Sequence, residues 1–225
     1  NSFFTNYEAI GISLQSDAWF TTFENNTVNL VGGAAIEIYG NWAHTIGTGN
    51  TLMSVQGIAV RADDMEQADV TWLKQTTAYV LRGDLYVGAS TGATLNIDPG
   101  VEIRMGDGIG IYMGYRTGTF GTIIAEGTAG DRIRFTSAAP DVAKSPGDWD
   151  FIGFYEGAGT NSSFDYCDFE YGGGYSSNYG MLYAQESGFS MTNSTVMNSM
   201  YYGISFGNEA GFGTCTGNSF SDNGT

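Results

Sequence analysis

Residues 1–28 and 193–220 align without a gap, and ten of the 28 positions are identical. Asn1, Ser2, Asn6, Gly11, Ile12, Ser13, Ala18, Phe20, Thr22 and Asn26 recur as Asn193, Ser194, Asn198, Gly203, Ile204, Ser205, Ala210, Phe212, Thr214 and Asn218. A shorter period runs inside each copy. Asn26-Thr27-Val28 is followed by Asn50-Thr51-Leu52, and Asn193-Ser194-Thr195 by Asn218-Ser219-Phe220. Gly11-Ile12-Ser13-Leu14 returns as Ala35-Ile36-Glu37-Ile38 and again as Gly57-Ile58-Ala59-Val60. A repeat of roughly 25 residues is the signature of a solenoid, because each unit is too small to bury its apolar side alone.

The repeated pieces alternate apolar and polar residues, which is the period of a strand and not of a helix. Gly and Asn between them suit the tight or left-handed backbone of corners. The fold class expected is therefore all-β: a parallel β-helix with three short strands per coil and about nine coils of ~25 residues. The segments 78–87, 93–105, 108–114, 122–128, 132–137, 149–157 and 163–174 continue the alternation between Gly, Asp or Pro breaks. The stretch 62–78, "ADDMEQADVTWLKQTTA", departs from it and reads as a loop or short-helix excursion. It divides the solenoid into coils 1–61 and coils 79–225. Both termini fall within the repeat and neither carries a capping helix, so a longer parent chain is expected.

With 34 Gly, 3 Pro, 42% hydrophobic and 14% aromatic residues, the chain has the vocabulary of strands and turns and enough apolar mass for a core. Its formal charge of −16 repels nucleic acid and anionic membrane surfaces. No apolar run has the length of a membrane span. Cys167 and Cys215 are 48 residues, or two coils, apart, beyond the reach of a disulfide, and are expected as separate thiols with half or fully buried side chains.

"ATLNIDPGVEI", "GTIIAEGTAGDRIRFTSAAP", "PGDWDFIGFYEG" and "SFDYCDFEYGG" follow one another from 93 to 173. They resemble the right-handed parallel β-helix segments of large secreted and cell-surface bacterial proteins, within the pectate-lyase-like grouping. The resemblance implies a right-handed solenoid, an extracellular or cell-surface location and a role in adhesion or display. Some relatives in that grouping cleave polysaccharides.

Candidate chemistry is sparse. The carboxylates Asp165, Asp168 and Glu170 with Arg132 are the best acid–base or charge-neutralising set for a lyase or hydrolase. The motifs of polygalacturonase-like enzymes are absent, and the lone His44 has the standing of a packing or surface residue. No cofactor motif occurs. Asp107 in "GDG" and Asp222 in "SDNGT" are the candidate Ca²⁺ ligands. Tyr171, Tyr175, Tyr179 and Tyr183, with Tyr201 and Tyr202 about one coil later, are the candidate surface for glycans or a protein partner. The first reading is thus an extracellular structural or adhesive module that presents its lateral faces to surface glycans, to proteins or to copies of itself. The alternatives are a secreted polysaccharide lyase or glycoside hydrolase, and a filament subunit that assembles end to end.

Overall fold

A computed structural model describes residues 5–6, 10–30, 32–159 and 161–224. All its strand pairings are parallel, apart from one isolated antiparallel bridge between Ala89 and Phe120. The strands form a coiled stack with three long sheets. Face I has nine strands: Ile12–Ser13, Ile36–Tyr39, Ile58–Arg61, Tyr79–Leu81, Glu102–Met105, Ile133–Ser137, Cys167–Glu170, Thr195–Met197 and Ser219–Ser221. Face II has six, Asp63–Met65, Leu85–Val87, Ile111–Met113, Ile152–Phe154, Leu182–Ala184 and Ile204–Phe206. Face III also has six, Asp69–Trp72, Ala93–Ile97, Gly121–Glu126, Ser163–Asp165, Gly188–Thr192 and Gly211–Thr216. A small sheet of Thr5–Asn6, Thr27–Leu30 and Thr51–Met53 leads into face I at the N-terminal end.

The register keeps apolar residues stacked. On face I one column runs Ile12, Ile36, Ile58, Tyr79, Ile103, Phe135, Phe169, Val196, Phe220. Face II contributes Leu85, Ile111, Ile152, Leu182 and Ile204, and face III contributes Trp72, Ile97, Ala125, Phe164 and Met191. Apart from the exposed Phe220 at the end of the face I column, these columns close on one continuous core. Eight turns join the nine strands of face I, one fewer than the sequence suggests. The difference comes from unequal coils: Tyr79 to Ile103 spans 24 residues, Ile103 to Phe135 spans 32 and Phe135 to Phe169 spans 34. The surplus lies in loops beside face II, including 114–120, 138–151 and 155–162.

The expected excursion at 62–78 is corrected here. Asp63–Met65 and Asp69–Trp72 are the first strands of faces II and III, paired in register with Leu85–Val87 and Ala93–Ile97. Met65, Val70 and Trp72 are buried in the core. The acidic run disguised them because a strand of three residues with only one inward side chain leaves little alternation to detect. A true departure occurs earlier, at the 3₁₀ turn Gly40–Thr45. Its Asn41 N–H donates to Asp63 Oδ2 (2.9 Å), and the Asn41 side-chain oxygen accepts from the Glu66 N–H (3.0 Å). The turn thereby covers the edge of the first face II strand, where unpaired backbone would otherwise meet solvent.

A corner motif accompanies the short period. Asn50 Oδ1 accepts the N–H of Asn26, and its amide nitrogen donates to Phe23 O. Asn218 does the same with Ser194 and Met191, and Asn223 with Ser199 and Val196. In each case the asparagine bridges to residues 24 and 27 positions back. The two copies do not occupy the same face, however. Ile12 is on face I and Ile204 on face II, so the 192-residue echo is displaced by one strand around the coil. The leading Asn1, Ser2 and Phe3 lie outside the described residues.

Candidate functional site

Face II differs from its neighbours on the outside. After the first strand, Asp63–Met65, each strand there has the form apolar–x–apolar; the middle, outward positions of the six are Asp64, Tyr86, Tyr112, Gly153, Tyr183 and Ser205 in successive coils. Tyr86 and Tyr112 stack with centroids 4.9 Å apart. At Gly153 the ladder has no side chain of its own, and Phe151 and Tyr155 fold over the vacant position. A Cβ there would lie 2.7 Å from Phe151 and 2.9 Å from Tyr155. Tyr179 and Tyr175, from the loop before Leu182–Ala184, complete the surface: Tyr179 stacks on Phe151 (5.3 Å) and lies 4.4 Å from Tyr183. Tyr115, from the loop 114–120, packs edge-on against Tyr155 at 4.8 Å.

Eight aromatic rings thus form a continuous patch separate from the main core. Phe151, Tyr112 and Tyr183 are its buried base. Tyr115 (51% exposed) and Tyr175 (56%) form its open crest. Burial pushes the Tyr112, Tyr155 and Tyr183 hydroxyls above their ordinary range, with neighbouring carboxylates or tyrosines adding to the shift. All three stay neutral at physiological pH, and the Tyr183 hydroxyl donates to Gln185 Oε1 (2.8 Å).

The rim of the patch is acidic. On the side toward face I, Asp84 Oδ2 accepts from the Tyr86 hydroxyl (3.3 Å) while Oδ1 accepts from Gly110 N–H (3.0 Å). Partial burial, with Asp84 and Asp107 nearby, raises the Asp150 carboxyl above its ordinary value. On the side toward face III, a pocket of about 440 Å³ opens between Tyr115, Tyr155, Gln185, Glu156 and Glu186. Its wall depends on two loops in close contact: a Cβ on Gly114, at φ +60°, would collide with the backbone of Gly157. Arg116 also lines the pocket, but its guanidinium lies over the Tyr86 ring (4.3 Å) and pairs with Asp64 (2.8 Å).

The tyrosines singled out in the sequence divide. Tyr175, Tyr179 and Tyr183 belong to the patch. Tyr171 sits at a positive φ of 66° at the end of a face I strand, with Lys144 6.0 Å from its ring, and Tyr201 and Tyr202 lie in the turn between faces I and II. No ring pairing joins these three to the patch among the described residues. Tyr86, Tyr112, Tyr115, Phe151 and Tyr155 were missed; the recurring triplets "LYV", "IYM" and "LYA" carried part of the signal.

The carboxylates proposed for acid–base chemistry are engaged elsewhere. Asp168 and Glu170 project from face I, where Arg132 clasps Asp168 (2.8 Å) and Arg134 binds Glu170 (2.6 Å). Asp165, on face III, accepts from the Thr192 hydroxyl (2.7 Å) and the Asn193 amide (2.9 Å). Asp107 and Asp222 are exposed and far apart in the stack, and no group of three potential metal-ligating side chains occurs among the described residues. Cys167 is buried on face I, where burial raises its thiol pKa, whereas Cys215 is exposed on face III. They are separate thiols, as expected, but Cys215 is not buried: its strand, Gly211–Thr216, has no further strand beyond it among the described residues.

No curated protein and no solved structure gives a significant match to the chain. Residues 64–209, about two thirds of the sequence, match the family model of the pectate-lyase like β-helix domain. The match begins inside the stretch 62–78, in agreement with its place in the coil. With parallel coils, stacked core columns and this match over most of its length, the chain belongs to the pectate-lyase-like β-helix domain family.

Proposed function

We propose that this chain is an extracellular, structural β-solenoid module that binds glycans on the outer side of face II. The observation that carries the reading is the eight-ring patch, built on a rigid sheet and bordered by hydrogen-bonding side chains. Sugar rings have one apolar face of C–H groups and an equator of hydroxyls. An aromatic surface with carboxylates and an amide along its edges complements both. Three of its rings, Tyr86, Tyr112 and Tyr183, stand on strands, and the loop-borne rings pack against them or against one another, so little conformational entropy is lost when a ligand docks. The rings run from Tyr86 through Tyr112 to Tyr183 across four successive strands, with Phe151 and Tyr155 over Gly153 between them, which suits an extended polymer lying along the solenoid axis.

The engaged state of Arg132, Asp168 and Glu170 supports a structural role for them: they tie neighbouring coils of face I. The test is retention of the protein on immobilised polysaccharides, with Tyr115→Ala and Tyr175→Ala as paired variants. Both side chains are exposed, so folding is expected to survive their loss. Retention that drops about tenfold in the double variant, with no release of reducing ends, supports the proposal. Retention unchanged in that variant would move the binding surface away from face II. Release of reducing ends or unsaturated products would turn the reading to a lyase or hydrolase.

A further inference from the structure

Resting on that reading, we infer that the face II aromatic patch selects a polysaccharide carrying protonated amines, a deacetylated hexosamine polymer, over neutral or uronic acid polymers. Both borders of the aromatic floor are anionic. Asp84, Asp107 and Asp150 stand in successive turns between the face I and face II strands, Asp84 accepting from the Tyr86 hydroxyl at the edge of the floor (3.3 Å), and Asp84 and Asp107 oppose ionisation of Asp150. Glu156 and Glu186 stand on the border toward face III, both exposed, in the wall of the 440 Å³ pocket. Glu186 holds a positive φ of 56°, an uncommon backbone for a residue of its type.

The one cation that touches the floor among the described residues is already neutralised. Arg116 lies on Tyr86 and is bound by Asp64. A uronate chain entering here would set its carboxylates against five acidic side chains and a molecule of net charge −16, with no free guanidinium or ammonium to receive them. A neutral chain would stack but leave the acidic borders unused. An amine-bearing chain would stack and also place its ammonium groups among the border carboxylates. It would relieve the repulsion around Asp150 and form charge-assisted hydrogen bonds with Glu156 and Glu186.

Calorimetric titration of the intact protein with a glucosamine hexamer, its N-acetylated counterpart and an oligogalacturonate of equal length tests this. Mildly acidic buffer keeps the amines charged. The glucosamine oligomer should bind about tenfold tighter than the acetylated one, lose most of that advantage in high salt, and leave the oligogalacturonate without measurable heat. The double variant Glu156→Gln, Glu186→Gln should remove several-fold of the affinity for the amine form only. Equal binding of both hexosamine forms, sensitive to Tyr115→Ala, would overturn the charge selectivity while leaving the aromatic platform standing. Preferred binding of the oligogalacturonate, or amine binding untouched by the glutamine variant, would also overturn it. Absence of binding by every oligomer would remove the platform along with it.

Discussion

Asn50 and its equivalents show how one side chain can define a coil. The amide of Asn50, 4% exposed, satisfies the Asn26 N–H on one side and the Phe23 and Gly47 carbonyls on the other. Replacement by Ala strands those groups at a buried corner, so Asn50→Ala should lower stability by about 2–3 kcal/mol in urea unfolding. Asn218→Ala removes the same pattern from a more open corner and should cost about half as much. Two carboxylates should have opposite pH signatures. Burial of Glu37 favours its neutral form, but the Arg61 guanidinium (2.5 Å), the Ser13 hydroxyl (3.0 Å) and the charge of Arg82 outweigh it and hold the carboxyl below its usual range. Its contribution is therefore present above the unfolded carboxylate pKa of about 4.3 and is lost as pH falls through the lower folded value. Glu37→Gln should destabilise by roughly 2 kcal/mol at neutral pH and by much less in acid. Asp150 is shifted upward, so its ionisation opposes folding at neutral pH. Asp150→Asn should raise the melting temperature there, and the gain should fade as pH drops through the raised folded pKa. Melting curves of both variants across that range separate the two signs.

Among elements, the stretch 62–78 tests whether the register is right. Trp72 is fully buried, stacks on Tyr79 (4.9 Å) and continues into the Ile97 column of face III. In an excursion its removal would be mild; in a coil, Trp72→Ala should cost about 3–5 kcal/mol. A loss below 1 kcal/mol by denaturant titration would argue against the assigned strand. This segment also shows what the sequence conveyed. Long strands such as Ala93–Ile97 and Glu102–Met105, with two or three inward positions, announce themselves by alternation. Face II strands are three residues long, and Asp63-Asp64-Met65 puts two acids before its one core methionine. The aromatic patch was hidden for a related reason. Its rings come from 86, 112, 115, 151, 155, 175, 179 and 183, and only the coil register brings these numbers together. Tyr171 and Tyr175 are neighbours in the chain, yet one ends a face I strand and the other covers Phe151. Spacing in sequence gave the period, while unequal coil lengths concealed which tyrosines share a face.

Across the whole molecule, the parallel stack makes stability a sum of interfaces between adjacent coils, so position along the axis governs the consequence of damage. Ile103 is fully buried at mid-column, between Tyr79 and Phe135. Ile204 is half-buried in the last strand of face II. An aspartate at either site introduces an unpaired charge, but the two should fail differently. Ile103→Asp breaks the column where coils depend on it from both directions and should abolish cooperative folding. Ile204→Asp should melt the coils around residues 195–224 and leave the stack below it intact. Amide exchange read by mass spectrometry distinguishes the outcomes. In the parent, face I strands from Tyr79–Leu81 to Cys167–Glu170 should exchange slowest, and the exposed Gly211–Thr216 strand among the fastest. In Ile204→Asp the fast zone should spread to Thr195–Met197 and stop before Ile133–Ser137. Uniform acceleration through every coil would mean that the solenoid unfolds as a single unit, and that the aromatic patch on face II shares its fate with the far end of the stack.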